Sequence, residues 1–213
     1  LFFSKIMGFY QKMNWQASSI YEKKDIINVL SVDAKCIYIV PNLTKTTTSH
    51  NKKKIQLRKP GPIRLIFLSR ISPKKNLKFF LNVLLKIDTK IEFTICGPKG
   101  DLIYWDQCLN LIDKLPTNIN IKIKKEVPND QVHNIFKKHD LFVFPTLGEN
   151  FGHVIFESLK ANTPVLVSDQ TPWQPNEKGG LNMLSLHKDR WVNMIKKWSK
   201  FDKNMLFKKR EET

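Results

Sequence analysis

The sequence has no apolar run that could cross a bilayer, since its longest apolar stretches have the length of strands and a spanning helix needs about 20 residues. It also lacks an initiator Met and a signal-peptide cleavage pattern at its first residues, which read Leu-Phe-Phe. Neither a spanning membrane protein nor a secreted precursor is indicated, and we expect the chain to begin inside a longer protein.

Cysteine is scarce, and the cysteines form no recognisable motif. Cys36, Cys96 and Cys108 are odd in number and widely spaced, with no C-x-x-C pair and no nearby histidines. This pattern excludes a disulfide framework and gives no zinc motif. We therefore expect buried thiols in a reducing, cytoplasmic compartment.

Acidic residues are few, with 19 Asp+Glu against 36 Lys+Arg, a formal charge of +17. Such an excess suits a phosphate-bearing ligand, an anionic membrane surface or nucleic acid. The lysines are scattered and no nucleic-acid-binding motif accompanies them, so nucleic acid stays a weaker alternative.

What the chain does have is enough apolar material for one core. Hydrophobic residues make up 41% of its 213 residues and aromatics 11%. This length accommodates one domain and an appendage, and it is too short for two full nucleotide-binding domains.

A regular alternation of apolar strands and amphipathic helices begins after Pro62 and predicts an α/β domain over residues 63–186. Because helices must return the chain between near-continuous apolar strands, we predict a doubly wound, Rossmann-like parallel sheet. The predicted strands are 63–69, 91–96, 119–123, 141–145, 164–168 and 181–185, and the predicted helices include 77–84, 101–115, 130–138 and 152–161.

Three segments flank this domain. Residues 1–43 contain a capping box at Ser19 and Glu22, a helix to about Leu30 and a strand over 35–40 that stops at Pro41-Asn42, with no partners of their own. Residues 44–62 form a linker with Thr46–Thr48 and Lys52–Lys54 runs. Residues 187–213 predict basic amphipathic helices that pack on a missing part of the protein or, alternatively, on a membrane surface.

The chemistry concentrates between Pro145 and Asp169. Glu149 follows a strand, Gly152 opens a helix, and Glu157 lies about two turns further on. Carboxylates accept hydrogen bonds from vicinal hydroxyls of a sugar or ribose, and a helix N-terminus opened by glycine suits a diphosphate. Taken alone, Glu149 could equally be a helix-start residue and Glu157 a solvated helix residue.

This stretch closely resembles the Glu-x7-Glu signature of family 4 glycosyltransferases. Residues 69–76, Ser-Arg-Ile-Ser-Pro-Lys-Lys-Asn, look like that family's Gly-Arg-x4-Lys-Gly loop, with Ser69 and Asn76 standing where glycine is usual or frequent. Residues 95–100 resemble its glycine-bearing second strand end. The resemblance extends to residues 171–173 and 179–182, and to 17–22 and 39–42, which look like the final helix and strand of that family's N-terminal domain.

The resemblance implies the C-terminal, donor-binding half of a retaining GT-B glycosyltransferase, with an acceptor-binding domain preceding Leu1. It implies that Arg70 and Lys75 neutralise the donor's diphosphate, that Glu149 holds the sugar, and that Glu157 holds the ribose. Further donor-binding positions are Gly97, Phe151, Gly152 and His153, the last also explicable as an ordinary helix-start residue.

The expected activity is transfer of a hexose, with retention, from a UDP- or GDP-sugar to a glycan or lipid-linked acceptor in cell-surface polysaccharide biosynthesis. No Asp-x-Asp motif is present, so no metal or other cofactor is expected. A cytoplasmic location is expected, with a peripheral contact at the inner membrane face left open. The alternatives are a catalytically inactive nucleotide-binding or regulatory domain and a basic nucleic-acid-binding protein.

Overall fold

A short β–α–β unit precedes the main sheet in the computed structural model, which describes residues 2–40 and 61–213. Its elements are α1 (Phe2–Ile6), β1 (Trp15–Ala17), α2 (Ile20–Leu30) and β2 (Ile37–Ile39). The two strands pair in parallel, with Trp15 opposite Ile37. The prediction of a strand without a partner is therefore wrong, because β1 is only three residues long and shows no alternation.

The predicted capping box starts α2, although its second hydrogen bond differs. The Ser19 hydroxyl accepts from the Glu22 amide at 3.2 Å. The Glu22 carboxylate accepts from the amide and hydroxyl of Ser18, at 2.7 and 2.5 Å, instead of from Ser19. These hydrogen bonds hold the pKa of Glu22 below its usual value.

Part of the predicted segmentation lies outside the described residues. This holds for the turn at Pro41-Asn42, for residues 44–60 of the linker and for the Thr46–Thr48 and Lys52–Lys54 runs. The domain boundaries accordingly stay predictions.

Six parallel strands form the main sheet, in the order β5-β4-β3-β6-β7-β8. All six strands predicted for residues 63–186 are present, with ends that differ by one residue at most. The strands are β3 (Ile63–Leu68), β4 (Ile91–Cys96), β5 (Ile119–Lys124), β6 (Leu141–Phe144), β7 (Val165–Ser168) and β8 (Leu181–Leu184). The prediction of a Rossmann-like parallel sheet is confirmed, since this order matches that of doubly wound nucleotide-binding domains.

Four helices connect these strands: α3 (Leu77–Leu84), α4 (Leu102–Ile112), α5 (Asn129–Lys137) and α6 (His153–Lys160). The apolar stripe predicted for α3 faces the core, where Leu77, Phe80, Leu81 and Leu84 are each 0% exposed. Phe80 contacts Phe93 edge-on at 5.1 Å between ring centroids, so α3 packs directly on β4.

One connection departs from the expected alternation. Residues 169–180 join β7 to β8 without a helix. Pro172 and Pro175 disfavour helix there, and Gly180 has a positive φ of 76°. The chain instead follows an irregular path over the carboxyl end of the sheet, where it contributes to the site described below.

The C-terminal helices α7 (Lys188–Ser199) and α8 (Lys203–Glu211) cover the main sheet domain itself. Trp191 is fully buried and contacts Phe79 and Phe80 of α3, at 5.4 and 6.2 Å between ring centroids. The apolar face of α7 therefore packs on the main sheet domain. The predictions that it packs on a missing part of the protein or on a membrane surface are both wrong. Among the described helices, none is long and apolar enough to span a bilayer.

Candidate functional site

The strand order creates a crevice between the carboxyl ends of β3 and β6. The chain proceeds from β3 to β4 and β5 on one side, and then returns to β6, β7 and β8 on the other. The loops leaving β3 and β6 consequently diverge, and open sheets bind their ligands at such points. Residues 69–76 and 145–152, which carry most of the predicted site, are these two loops.

The crevice brings Lys75 and Glu149 together as an ion pair, although 74 residues separate them in sequence. Their side chains are only 20% and 13% exposed, so the pair is largely screened from water. The Leu147 amide donates to the carbonyl oxygen of Lys74 at 2.8 Å, which ties the two loops together beside the pair. The lysine predicted to hold phosphate and the glutamate predicted to hold sugar are thus in direct contact.

Asn76 occupies a backbone conformation that explains the glycine frequent at this position in the resembling family. Its φ is 57° and its ψ is 37°, in the left-handed region. Asparagine tolerates that region better than other residues with a side chain. The departure at Asn76 is therefore compatible with the loop.

Arg70 lies at the start of the β3 loop, on the side next to the β4 loop, and its side chain is exposed. It forms no ion pair with any described residue. Its aliphatic stem rests against Gly100, where an added Cβ would lie 2.6 Å from Arg70 Cδ. Gly97 has φ +137°, and a Cβ there would lie 2.0 Å from the Ser69 carbonyl oxygen. Gly97 is thus required by close packing of two loops, and its predicted ligand contact stays a prediction.

The N-terminus of α6 opens beside Glu149. Gly152 is its N-cap, buried and left-handed at φ 77°, and no described side chain caps the helix. The amides of a first helical turn point outward and carry the positive end of the helix dipole. His153 begins the helix and is exposed, with its ring 4.9 Å from that of Phe151. This end of α6 has the chemistry of an anion-binding site.

Glu157 lies further along α6 and is half-buried. Burial raises the pKa of its carboxyl group, while the positive charges of His153 and Lys160 act in the opposite direction. A solvated helix residue would not show this desolvation. Glu157 is therefore partly desolvated, and its contact with the ribose stays a prediction.

A third loop, residues 169–173 after β7, holds the β6 loop in place. The Glu149 amide donates to the Gln170 carbonyl at 3.2 Å, and the Trp173 indole N–H donates to the Phe151 carbonyl at 2.5 Å. The Oγ1 atom of Thr171, in the same loop, is buried without a partner among the described residues. The sequence showed Trp173 only as part of a family-like turn and gave no sign of these contacts.

A cavity of about 330 Å³ lies beyond the carboxyl ends of β4 and β5 and shares Ile71 with the β3 loop. Its size falls in the range of small-molecule sites. One wall of the cavity is formed by the end of β5 and the charged residues that follow it, and no sequence motif indicated this wall. The lining residues are Ile71, Gly97, Pro98, Lys99, Ile123, Lys124, Lys125 and Glu126.

Across residues 2–40 and 61–213, no group of three or more His, Cys, Asp or Glu side chains is arranged to hold a metal ion. Positive groups on the loops of the crevice include Lys75, the N-terminus of α6 and, with its stem turned towards Gly100, Arg70.

A doubly wound parallel sheet whose winding reverses at this crevice defines an α/β, Rossmann-like fold of the GT-B type. Residues 48–176 match the model of the family described as Glycosyl transferases group 1, and the chain belongs to that family.

Solved structures agree with this fold. The chain is similar to a TarM variant from S. aureus, in complex with fondaparinux, alpha-GlcNAc-glycerol and UDP, at 21% identity and a TM-score of 0.71. It is similar to Anabaena HepE, in complex with UDP and glucose, at 16% identity and a TM-score of 0.70. A glycosyltransferase from Rickettsia africae gives 15% identity and a TM-score of 0.68.

These alignments cover 93%, 92% and 98% of this chain. They cover 40%, 56% and 60% of the three solved chains, so this chain spans about half the length of the proteins that it resembles. No curated protein sequence matches it significantly.

Proposed function

We propose that this chain is the donor-binding portion of a retaining glycosyltransferase that transfers a hexose from a nucleoside-diphosphate sugar. The observation that carries the proposal is the convergence of Lys75, Glu149 and the N-terminus of α6 at one crevice. A cation and a helix N-terminus suit a diphosphate, and a carboxylate beside them suits sugar hydroxyls.

The polarity of the crevice gives each part of the donor a position. Lys75 and Arg70, with the first amides of α6, would neutralise the diphosphate as the bond to the sugar breaks. Glu149 would hold the sugar. Glu157, half-buried on the same helix, would accept hydrogen bonds from the ribose hydroxyls. The adjoining cavity, walled by Gly97, Ile123 and Lys124, would take the nucleobase.

The finer features of the reaction are part of the same proposal. Retention, a glycan or lipid-linked acceptor and a role in cell-surface polysaccharide biosynthesis rest on the resemblance to family 4 enzymes. UDP is present in the similar TarM and HepE structures, which supports a nucleotide-sugar donor here. The helix amides and two cations would stabilise the leaving diphosphate without a metal ion.

Calorimetric titration of the full chain with UDP and with GDP tests the proposal. We expect at least one of them to bind, and the Arg70→Ala, Lys75→Ala double variant to bind it roughly 100-fold or more weakly, since each of the two charge-assisted contacts contributes about 1.5–3 kcal/mol. The matched control is Lys197→Ala, Lys200→Ala, which removes the same charge from exposed positions in and beside α7.

Three results would contradict the proposal. They are absence of binding by both nucleotides, equal binding by wild type and the double variant, and an equal loss in the control. The last would show that net charge, instead of the crevice, attracts the nucleotide. The alternative of an inactive nucleotide-binding domain predicts the same binding. It is separated by transfer from a labelled nucleotide sugar to acceptor, measured on this chain joined to the acceptor-binding domain that the resemblance implies, because the donor-binding portion alone is expected to transfer nothing.

A further inference from the structure

The loop that carries Glu149 and opens α6 is fastened to the β7 loop at two points. At one end, the Glu149 amide donates to the carbonyl oxygen of Gln170 at 3.2 Å. At the other end, the indole N–H of Trp173 donates to the carbonyl oxygen of Phe151 at 2.5 Å. Glu149, which would face the sugar, lies at the first bond, and the amides of α6, which would face the diphosphate, follow directly after the second.

The second fastening point lies at the end of the loop next to α6, beyond the contacts that Leu147 and Glu149 make with the β3 loop and that Asn150 makes with Glu22. Gly152 follows Phe151 in a left-handed conformation, and the helix has no side-chain cap among the described residues. Glycine has no Cβ and therefore restricts its own backbone less than any other residue. A bond to the carbonyl just before Gly152 therefore fixes the direction in which α6 starts.

The indole ring adds a second contact to the same residue. The rings of Trp173 and Phe151 lie 5.8 Å apart between centroids at 52°, and Phe151 in turn contacts His153. Trp173 is half-buried and packs against the edge of the core. Its hydrogen bond thus has a preorganised, partly desolvated donor, which makes it more effective than a surface contact.

We propose that Trp173 is a positioning residue for donor binding, which holds Phe151 and Gly152 so that Glu149 and the first amides of α6 face the ligand together. The proposal rests on the proposed function for the identity of that ligand. Trp173 itself need not touch the donor. It acts through the backbone of the β6 loop.

Two variants test the hydrogen bond. Trp173→Phe keeps an aromatic ring and removes the N–H, and replacement of Trp173 by benzothienylalanine removes the N–H while it preserves the bicyclic shape. The matched control is Trp191→Phe, since the Trp191 indole donates to the Ser185 carbonyl at 3.0 Å and this hydrogen bond does not involve the β6 loop. Thermal denaturation reports the stability of each variant.

The first measurement is amide hydrogen exchange over residues 149–155 of the unliganded chain, which needs no ligand. We expect exchange roughly 3- to 10-fold faster in both Trp173 variants, from the loss of one hydrogen bond, and unchanged exchange in Trp191→Phe. The second is the affinity for whichever of UDP and GDP binds the wild type more tightly. We expect a loss of roughly 3- to 10-fold in the Trp173 variants alone.

Unchanged exchange in the benzothienylalanine protein would overturn the proposal, as would an equal loss of affinity in Trp191→Phe, which would indicate a general loosening. Faster exchange with unchanged affinity would also overturn it, because the bond would then be merely structural. Failure of both nucleotides to bind the wild type is a different result and overturns the proposed function.

Discussion

At the scale of single residues, the main consequence of the structure is that two proposed ligand groups neutralise each other. Lys75 and Glu149 form an ion pair that is mostly screened from water. A diphosphate that binds Lys75 must therefore compete with the Glu149 carboxylate. When a phosphate group binds Lys75, the Glu149 carboxylate loses its ion pair and can accept hydrogen bonds from sugar hydroxyls.

This competition predicts opposite effects of Glu149→Ala on two ligands. We expect nucleoside diphosphate to bind about 2- to 5-fold more tightly, since a partly exposed ion pair contributes up to about 1 kcal/mol that the ligand no longer has to replace. Intact nucleotide sugar should bind more weakly relative to the diphosphate, since about 1–3 kcal/mol of sugar contact is lost. Parallel calorimetric titrations with UDP and UDP-glucose, or with the GDP pair, measure both effects.

Glu157→Ala is the comparison for that experiment. Because both ligands contain ribose, the loss of Glu157 should weaken both by a similar factor. If Glu149→Ala weakened both ligands equally, the sugar assignment would fail, and Glu149 would be a residue that supports the loop.

At the scale of secondary-structure elements, a buried charge cluster joins β3, β6 and α8. The carboxylate of Asp140, just before β6, accepts from the Arg64 amide at 2.8 Å and from the Arg64 guanidinium at 3.0 and 3.3 Å. Arg210 of α8 donates to the carbonyl oxygens of Asn162 and Lys137 at 3.0 and 2.9 Å. Burial lowers the pKa of Arg210, and the negative charge of Asp140 opposes that effect.

We expect Asp140→Asn to lower the free energy of unfolding by roughly 3 kcal/mol, because it leaves two arginines without their shared counter-charge. The Asp140 side chain is 1% exposed, whereas that of Arg64 is 28% exposed. The expected loss therefore lies in the lower part of the range of free energies that breaking a buried ion pair costs. Urea denaturation followed by circular dichroism measures the change.

The control for this cluster is Glu92→Gln, which breaks the exposed ion pair with Lys122 on β4 and β5. Such pairs contribute up to about 1 kcal/mol. A loss in Asp140→Asn no larger than in Glu92→Gln would show that the buried cluster does not fasten these elements.

At the scale of the whole molecule, the charge of +17 is far larger than the proposed site for one nucleoside diphosphate would need. Exposed lysines occur on α7 and α8, on β5 and around the crevice, so the charge does not follow a single groove. This distribution raises general affinity for polyanions without defining a surface for nucleic acid.

We therefore expect nucleotide binding to be independent of nucleic acid at physiological salt. Titration of UDP or GDP into the chain should give the same Kd with and without an added oligonucleotide in 0.15 M salt. Any oligonucleotide binding should weaken steeply between 50 and 200 mM salt, as counterion release requires. Competition between oligonucleotide and nucleotide at 0.15 M salt would instead favour the nucleic-acid-binding alternative.

The sequence by itself determined the elements of the main sheet and the residues that would form its site. Strands such as Ile91–Cys96 and helices such as Leu77–Leu84 were predictable because a period of two or 3.6 residues is a local property of the chain. The Glu-x7-Glu spacing is equally local, and it located Glu149 and Glu157 on the loop and first turns of one helix.

Only the tertiary structure decided which of these residues meet. The pairing of Lys75 with Glu149 and of Trp173 with Phe151, and the packing of Trp191 on α3, join residues far apart in sequence. Such contacts depend on the order of strands in the sheet and on the path of the β7–β8 connection. Local periodicity carries no information on either, because a helix or strand has the same pattern whichever neighbour buries its apolar face.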